Sequence, residues 1–372
     1  MHVQHHPITL ANAQPSCSLS SFHFGEPGKG KKVYIQAALH ADEIPGMLVA
    51  QFIRTRLVEL EQRGCITGEI ILVPQANPLG LAQAIHGTPF GRFDLSTGIN
   101  FNREFRHVLR ELKPDLEQTL TADENANRNI IRRHARAALQ NWEVNNNAES
   151  LKKILLTMAI DADIVLDLHC DNEALLHLYT GTPLAEAMQP LAAFLGVRAM
   201  LVAETSGDEP FDEACSSLWW ELQNHFAGRF PVPLACLAAT VELRGEKDLS
   251  YELARQDADA ILAYLTHCGV LDLPKTHPPV LPCQPTSLAA VEPIRAPHDG
   301  ILIFTSQLGD YLAAGSALAD LIDPVSGETT VVRNTMPGVF FARSAHTHVL
   351  RGMNLAKLAG STPFRSGNLL SL

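Results

Sequence analysis

Four short apolar runs, three of which end at or near a residue capable of chemistry, constrain this chain more than any other feature. Lys31-Lys32 precede an apolar run over 33–39, which stops at His40-Ala41-Asp42-Glu43-Ile44-Pro45-Gly46. A second run, 69–73, stops at Pro74; a third, 164–168, stops at His169; a fourth, 238–243, carries Glu242 near its end. Runs this short, with no clean polar alternation, read as strands covered on both faces, the pattern of a mainly parallel sheet. Helical periodicity follows the first run over about 47–61. It returns in the polar stretch 112–160, where Asn-rich breaks near Asn125 and Asn145 predict two helices, over about 126–141 and 148–160. Strands alternating with helices predict an α/β domain.

The chain has 372 residues, 46% of them apolar, enough for a large core and a second, smaller domain. A boundary is expected in the linker 273–285, which holds five of the 23 prolines. It divides a catalytic domain, 1–280, from a C-terminal β domain, 286–372. The tail carries a weak internal repeat. One copy runs from Ile294-Arg295-Ala296-Pro297-His298-Asp299-Gly300 to Gly315-Ser316-Ala317-Leu318-Ala319-Asp320-Leu321; the other runs from Met336-Pro337-Gly338-Val339-Phe340 to Gly352-Met353-Asn354-Leu355-Ala356-Lys357-Leu358. The pattern looks like the two halves of a biotinyl/lipoyl-type β-sandwich. A cofactor carrier of that type needs a modifiable lysine in the turn between the halves, and 323–335 contains none. A purely structural module is therefore favoured.

Charge and cysteine usage exclude several classes. A net charge of -11 is unsuited to nucleic-acid backbone or an anionic membrane surface. No apolar stretch approaches the roughly 18 residues of a membrane span. The N-terminal ten residues hold three histidines and do not read as a signal peptide. The seven cysteines (Cys17, Cys65, Cys170, Cys215, Cys236, Cys268, Cys283) form no CxxC pair, so neither a zinc ribbon nor a disulfide framework is expected. Reduced thiols in a cytoplasmic protein follow. A homo-oligomer is left open.

His40-x-x-Glu43 sits at the carboxyl end of a strand, the edge where open α/β sheets bind ligands. Imidazole and carboxylate both suit Zn²⁺. His169, at a second strand end, supplies a third ligand, and three protein ligands leave a fourth position for water, the catalytic arrangement. The competing reading makes Asp42 a helix N-cap and His169 a hydrogen-bonded core residue. Asp167 fits a partner for the second ring nitrogen of His169. Glu242 suits a proton acceptor, against an ordinary pair with Arg244. In Gly98-Ile99-Asn100-Phe101-Asn102-Arg103-Glu104-Phe105, Arg103 offers a planar fork for a carboxylate, against a surface pair with Glu104. His86, His177, His346 and His348 have no companion at ligand spacing, His177 being the reserve. Trp219-Trp220 read as packing, and alternation turns Cys170 away from His169.

Taken in order, His40-x-x-Glu43, the Asn102-Arg103 segment, strand-end His169 and Glu242-Leu243-Arg244 resemble the zinc carboxypeptidase superfamily. The nearest branch is the succinylglutamate desuccinylase/aspartoacylase family, whose members add a C-terminal β domain. The resemblance implies a mixed sheet flanked by helices. It implies one Zn²⁺ per chain on His40, Glu43 and His169, with Glu242 as general base and then acid. Asn102 and Arg103 would hold a substrate carboxylate, and Arg92, in Phe90-Gly91-Arg92-Phe93-Asp94, would polarise the scissile carbonyl. Two departures stand out: Asn100 replaces the family's usual Asp, and Glu-Leu-Arg is closer to the carboxypeptidases than to some deacylases. The expected activity is hydrolysis of a small N-acyl amino acid. The alternatives are a carboxypeptidase acting on peptides and a non-catalytic metal binder or carrier.

Overall fold

The computed structural model describes residues 1–10 and 17–370. Its centre is a nine-stranded mixed sheet. The spatial order is His2–Ile8, Cys17–Gly25, Glu69–Val73, Lys32–Ala37, Ile164–Asp171, Leu237–Gly245, His177–Gly181, Ala199–Ala203 and Pro285–Ser287. The four strands from Glu69–Val73 to Leu237–Gly245 in that order are parallel. His177–Gly181 runs antiparallel to Leu237–Gly245, and the two N-terminal strands add an antiparallel edge.

The side-chain period of two divides each central strand between two cores. Val33, Ile35, Ala37, Ile164, Leu166, Leu168, Ala239 and Val241 pack with the helices Pro45–Gln62, Ala185–Leu195 and Tyr251–His267. Tyr34, Val165 and Ala238 face the other way, against Leu109–Thr119, Glu124–Gln140, Asn147–Ala159 and Phe211–His225. Cover on both faces explains why these strands read as continuous apolar runs. On the second face the apolar series gives way toward the strand ends to Gln36, Asp167, His169, Thr240 and Glu242. The functional groups therefore sit at one end of one face.

Three helices, not two, fill the polar stretch. The break lies before Glu124 rather than at Asn125, which is helical, and Leu109–Thr119 forms an additional helix. Its Pro114 and its largely polar composition hide the three buried leucines, Leu109, Leu112 and Leu116, that hold it to the core. Asp42 does not cap the first helix either. Ile44 occupies the cap position without a side-chain bond, and Pro45 opens the helix, where a missing N–H has no cost. Gly46 is required here: a Cβ would lie 3.0 Å from the Leu168 carbonyl oxygen and 3.2 Å from the Ala37 Cβ. The helix thus starts directly on the two strands that carry the candidate ligands.

From Val291 onward the described residues form strands and turns in two small antiparallel sheets around their own core. The repeat is visible in the pairing. Gly300–Phe304 and Ala317–Ile322 of the first copy share a sheet with His348–Val349 of the second. Gly338–Arg343 and Asn354–Ala359 of the second share a sheet with Tyr311–Leu312 of the first. Each sheet takes two long strands from one copy and a short strand from the other. Glu173–Ala174, just past the His169 strand, pairs with Gly338–Arg343. No helix among the described residues is long and apolar enough to cross a membrane, and the seven cysteines form no disulfide.

Candidate metal centre and active-site pocket

His40, Glu43 and His169 are buried and present one ligand atom each, all within 4.8 Å of one another. His40 Nδ1 lies 2.8 Å from Glu43 Oε1, and His169 Nδ1 lies 2.7 Å from Glu43 Oε2. The opposite ring nitrogens face acceptors. His40 Nε2 donates to Asn100 Oδ1 at 2.7 Å; the backbone N–H of Asn102 donates to the same oxygen at 2.8 Å, which fixes the orientation of that amide. His169 Nε2 faces Asp167 Oδ2 at 2.9 Å, an ion-pair distance. With the proton on Nε2, each Nδ1 is an acceptor. Two imidazole lone pairs and a carboxylate then converge on one point, a donor set that could hold a metal ion. Two imidazoles and a carboxylate fit zinc.

Without a bound ion, the three groups set one another's charge. Burial opposes ionisation of Glu43, yet His40 and His169 hold its carboxyl well below the usual range. Burial, with Arg92, lowers His40. Burial also opposes charge on His169, but Asp167 and Glu43 together raise it. Asp167 thus stands where the sequence pattern places a partner for His169, at ion-pair distance but without a hydrogen bond.

Register delivers Glu242. It is the direct partner of His169 across the parallel Leu237–Gly245 and Ile164–Asp171 strands, and a register irregularity between Glu242 and Gly245 marks where regular pairing ends. Its Oε2 is buried without a hydrogen-bond partner. Burial, reinforced by the Glu43 charge, pushes the Glu242 carboxyl up to about 8. Arg244 does not neutralise it, because its guanidinium takes both oxygens of Asp257, at 2.8 and 2.9 Å.

Arg92 arrives through a close backbone contact. Ala41 N–H donates to the Gly91 carbonyl at 3.0 Å, and a Cβ on Gly91 would lie 2.5 Å from the Asp42 nitrogen. Arg92 Nη1 then stands 3.2 Å from Glu43 Oε1 and 3.3 Å from His40 Nδ1. Asn102 and Arg103 are buried. Asn102 Oδ1 accepts from the Phe211 N–H at 2.9 Å, which ties it to the start of the Phe211–His225 helix, and Arg103 Nη1 donates to the Asn102 carbonyl at 2.7 Å. Positive φ values at Ala38 (59°), Glu104 (55°) and Arg244 (65°) flank His40, Arg103 and Glu242. Such backbone is costly for non-glycine residues and clusters at functional sites.

All seven predicted site residues line one partly open cavity of about 80 Å³. Cys170 also lines it, and its backbone N–H donates to Glu43 Oε2 at 3.1 Å. His177 is the register partner of Glu242 on the other side but stands apart from the ligand group. Its ring faces the Leu175 carbonyl, and burial lowers it to about 4. His86, His346 and His348 are exposed, and Trp219 and Trp220 are core.

Two lysines at the site escape a reading by motif. Lys357, from the C-terminal repeat, lines the cavity and pairs with Asp171 at 2.5 Å. Nothing in the sequence marks it. Lys152 lies under the Asn100–Arg103 loop and does carry a signal: Ala148, Leu151, Leu155, Leu156 and Ala159 form a buried helical stripe, and Lys152 falls inside it.

Comparison with known proteins agrees with this geometry. Residues 29–268 match the family described as succinylglutamate desuccinylase/aspartoacylase catalytic domain. A search of curated protein sequences finds no match. Among solved structures, the chain is similar to a succinylglutamate desuccinylase/aspartoacylase family protein from Shewanella amazonensis, with 27% identity and a TM-score of 0.81 over 96% of this chain and 98% of that one. A family protein from Shewanella frigidimarina matches at 28% identity and a TM-score of 0.81, over 96% and 97%. The product-bound ectoine utilization protein EutE (DoeB) from Ruegeria pomeroyi shares the fold at 16% identity and a TM-score of 0.65, over 97% and 95%. The matched segment holds all seven predicted site residues, though not Lys357, and makes up most of the chain, which belongs to the succinylglutamate desuccinylase/aspartoacylase family.

Proposed function

We propose that this protein is a zinc-dependent amide hydrolase that deacylates a small N-acyl amino acid, with one zinc ion per chain on His40, Glu43 and His169. The observation that carries the reading is the pairing of Glu242 with His169, which sets a buried, protonatable carboxylate beside three converging metal donors. When bound, the ion polarises a carbonyl and brings the pKa of water down to about 7.

The chain's own residues supply the rest. Glu242 takes a proton from the attacking water and passes it to the amine nitrogen as the carbon–nitrogen bond breaks. Its Oε2 makes no hydrogen bond that would tie the carboxylate up. Arg92, beside Glu43, offers positive charge where the carbonyl oxygen becomes anionic. Arg103 and the Asn102 amide hold the substrate carboxylate, so that binding fixes the amide in place.

The small volume of the cavity, whose lining includes Leu288, Lys357 and Leu370, supports an acyl amino acid over a peptide. We divide the chain into a catalytic domain, 1–280, and a biotinyl/lipoyl-like β domain, 286–372, that acts as a wall and not as a carrier. We place the protein in the cytoplasm, where seven cysteines outside any disulfide would stay reduced.

The test is a screen of acetyl-, formyl- and succinyl-amino acids with zinc-loaded protein. Release of free amino acid is expected, falling about 100- to 10,000-fold in Glu242→Gln, which keeps the metal but cannot take the proton. Retained turnover in Glu242→Gln would overturn the role of Glu242. Cleavage of peptides and not of acyl amino acids would overturn the substrate class, and an intact mass carrying a covalent group would restore the carrier reading.

A further inference from the structure

Lys152 is an unusual residue to find at 3% exposure. Its ammonium donates to the Arg103 carbonyl oxygen at 2.6 Å and lies 3.5 Å from that of Asn100. It also sits 5.7 Å from the centre of the Phe105 ring. It forms no ion pair among the described residues, and a buried charge without one is expensive. The loop above it is held on its other side as well: Glu104 and Phe105 donate their N–H groups to the Asp208 and Glu209 carbonyls, at 2.7 and 3.0 Å. Two of the loop's donors are thus taken by one neighbour and two of its acceptors by Lys152. This one turn carries Asn100, which orients His40, and Asn102 and Arg103.

We propose that Lys152 is a positioning residue that clamps the 100–105 loop, so that Arg103 is presented to the substrate carboxylate in a fixed geometry. The loop's task rests on the function proposed above; the clamp itself does not. Three carboxylates face the ammonium and favour its charge: Glu104 and Asp94 from the loop side and Glu149 from its own helix. Burial outweighs them and brings Lys152 down to about 8. The clamp therefore weakens as pH rises through that value.

Two variants test it. Lys152→Met keeps the stem and removes the donors; Lys152→Gln keeps a neutral donor. Hydrogen exchange of the amides 100–105, read by mass spectrometry on zinc-loaded protein, is expected to quicken about tenfold in Lys152→Met and less in Lys152→Gln. That readout needs no substrate, so it stands even if no N-acyl amino acid is hydrolysed, an outcome that would sink the proposed function alone. With a substrate in hand, KM is expected to rise about tenfold in Lys152→Met while kcat and zinc content hold. The wild-type KM is expected to climb above about pH 8 and the Lys152→Met KM to show no such climb. Unchanged exchange in the loop overturns the clamp. So does a parallel loss of kcat, zinc and thermal stability with KM unaltered, which would mark Lys152 as a core residue only.

Discussion

The Nε2 of His40 donates to Asn100 Oδ1 at 2.7 Å, whereas His169 Nε2 faces the carboxylate of Asp167 at 2.9 Å. The two metal-facing imidazoles are thus held by unlike partners, one neutral and one charged. A ligand histidine depends on such a partner for its tautomer and ring orientation. Replacing Asn100 by Leu removes the only acceptor that His40 Nε2 has among the hydrogen bonds described. Zinc affinity, measured by competition with a chromophoric chelator, should fall about 10- to 100-fold.

Arg92 is the half-exposed member of the site, its Nη1 3.2 Å from Glu43 Oε1. If its charge serves the developing oxyanion, Arg92→Ala should lower kcat about 100- to 1000-fold with little change in KM. Steady-state kinetics on the substrate found in the screen decide it. A pure KM effect would instead place Arg92 among the groups that bind the ground state.

Gly91 is where two loops touch most closely. An added Cβ would meet the Asp42 nitrogen at 2.5 Å and the Ala41 carbonyl carbon at 2.8 Å, both backbone atoms that cannot swing aside. Gly91→Ala should cost about 1–3 kcal/mol of stability in a denaturant titration. It should also weaken zinc binding, because the displaced segment carries His40 and Glu43.

Asp257 holds both terminal nitrogens of Arg244, two residues past Glu242, where φ is 65°. Asp257→Ala leaves a largely buried guanidinium unpaired, a change that costs about 3–5 kcal/mol at fully buried sites and should fall near the lower figure here. Unfolding by urea measures the loss. Turnover should drop with it as the strand end carrying Glu242 loosens.

The legible part of this molecule was the part written in local pattern. His40, Glu43, His169 and Glu242 stand out because an apolar strand that stops at a ligating residue is rare, and the structure brings these strand ends together on one face. The helix Leu109–Thr119 did not stand out, since Pro114 and a polar composition mask its three buried leucines. The N-terminal strands His2–Ile8 and Cys17–Gly25 were also invisible: at the sheet edge, histidine and serine replace the apolar run that marks a central strand. The site residues that sequence reasoning missed, Lys152 and Lys357, act through partners 49 and 186 positions away. Only the helical stripe around Lys152 leaves a local trace of such a contact.

The pairing of Glu173–Ala174 with Gly338–Arg343, joined by the Arg343–Glu173 bridge, begins four residues past His169, and the Lys357–Asp171 bridge lies two residues past it. The C-terminal sheets are therefore stitched to the same strand that carries a metal ligand. They cannot swing aside as a cover would without pulling on that ligand. Traffic into the cavity has to pass through the loops, and exchanging this domain for that of a relative would retune the metal along with the wall.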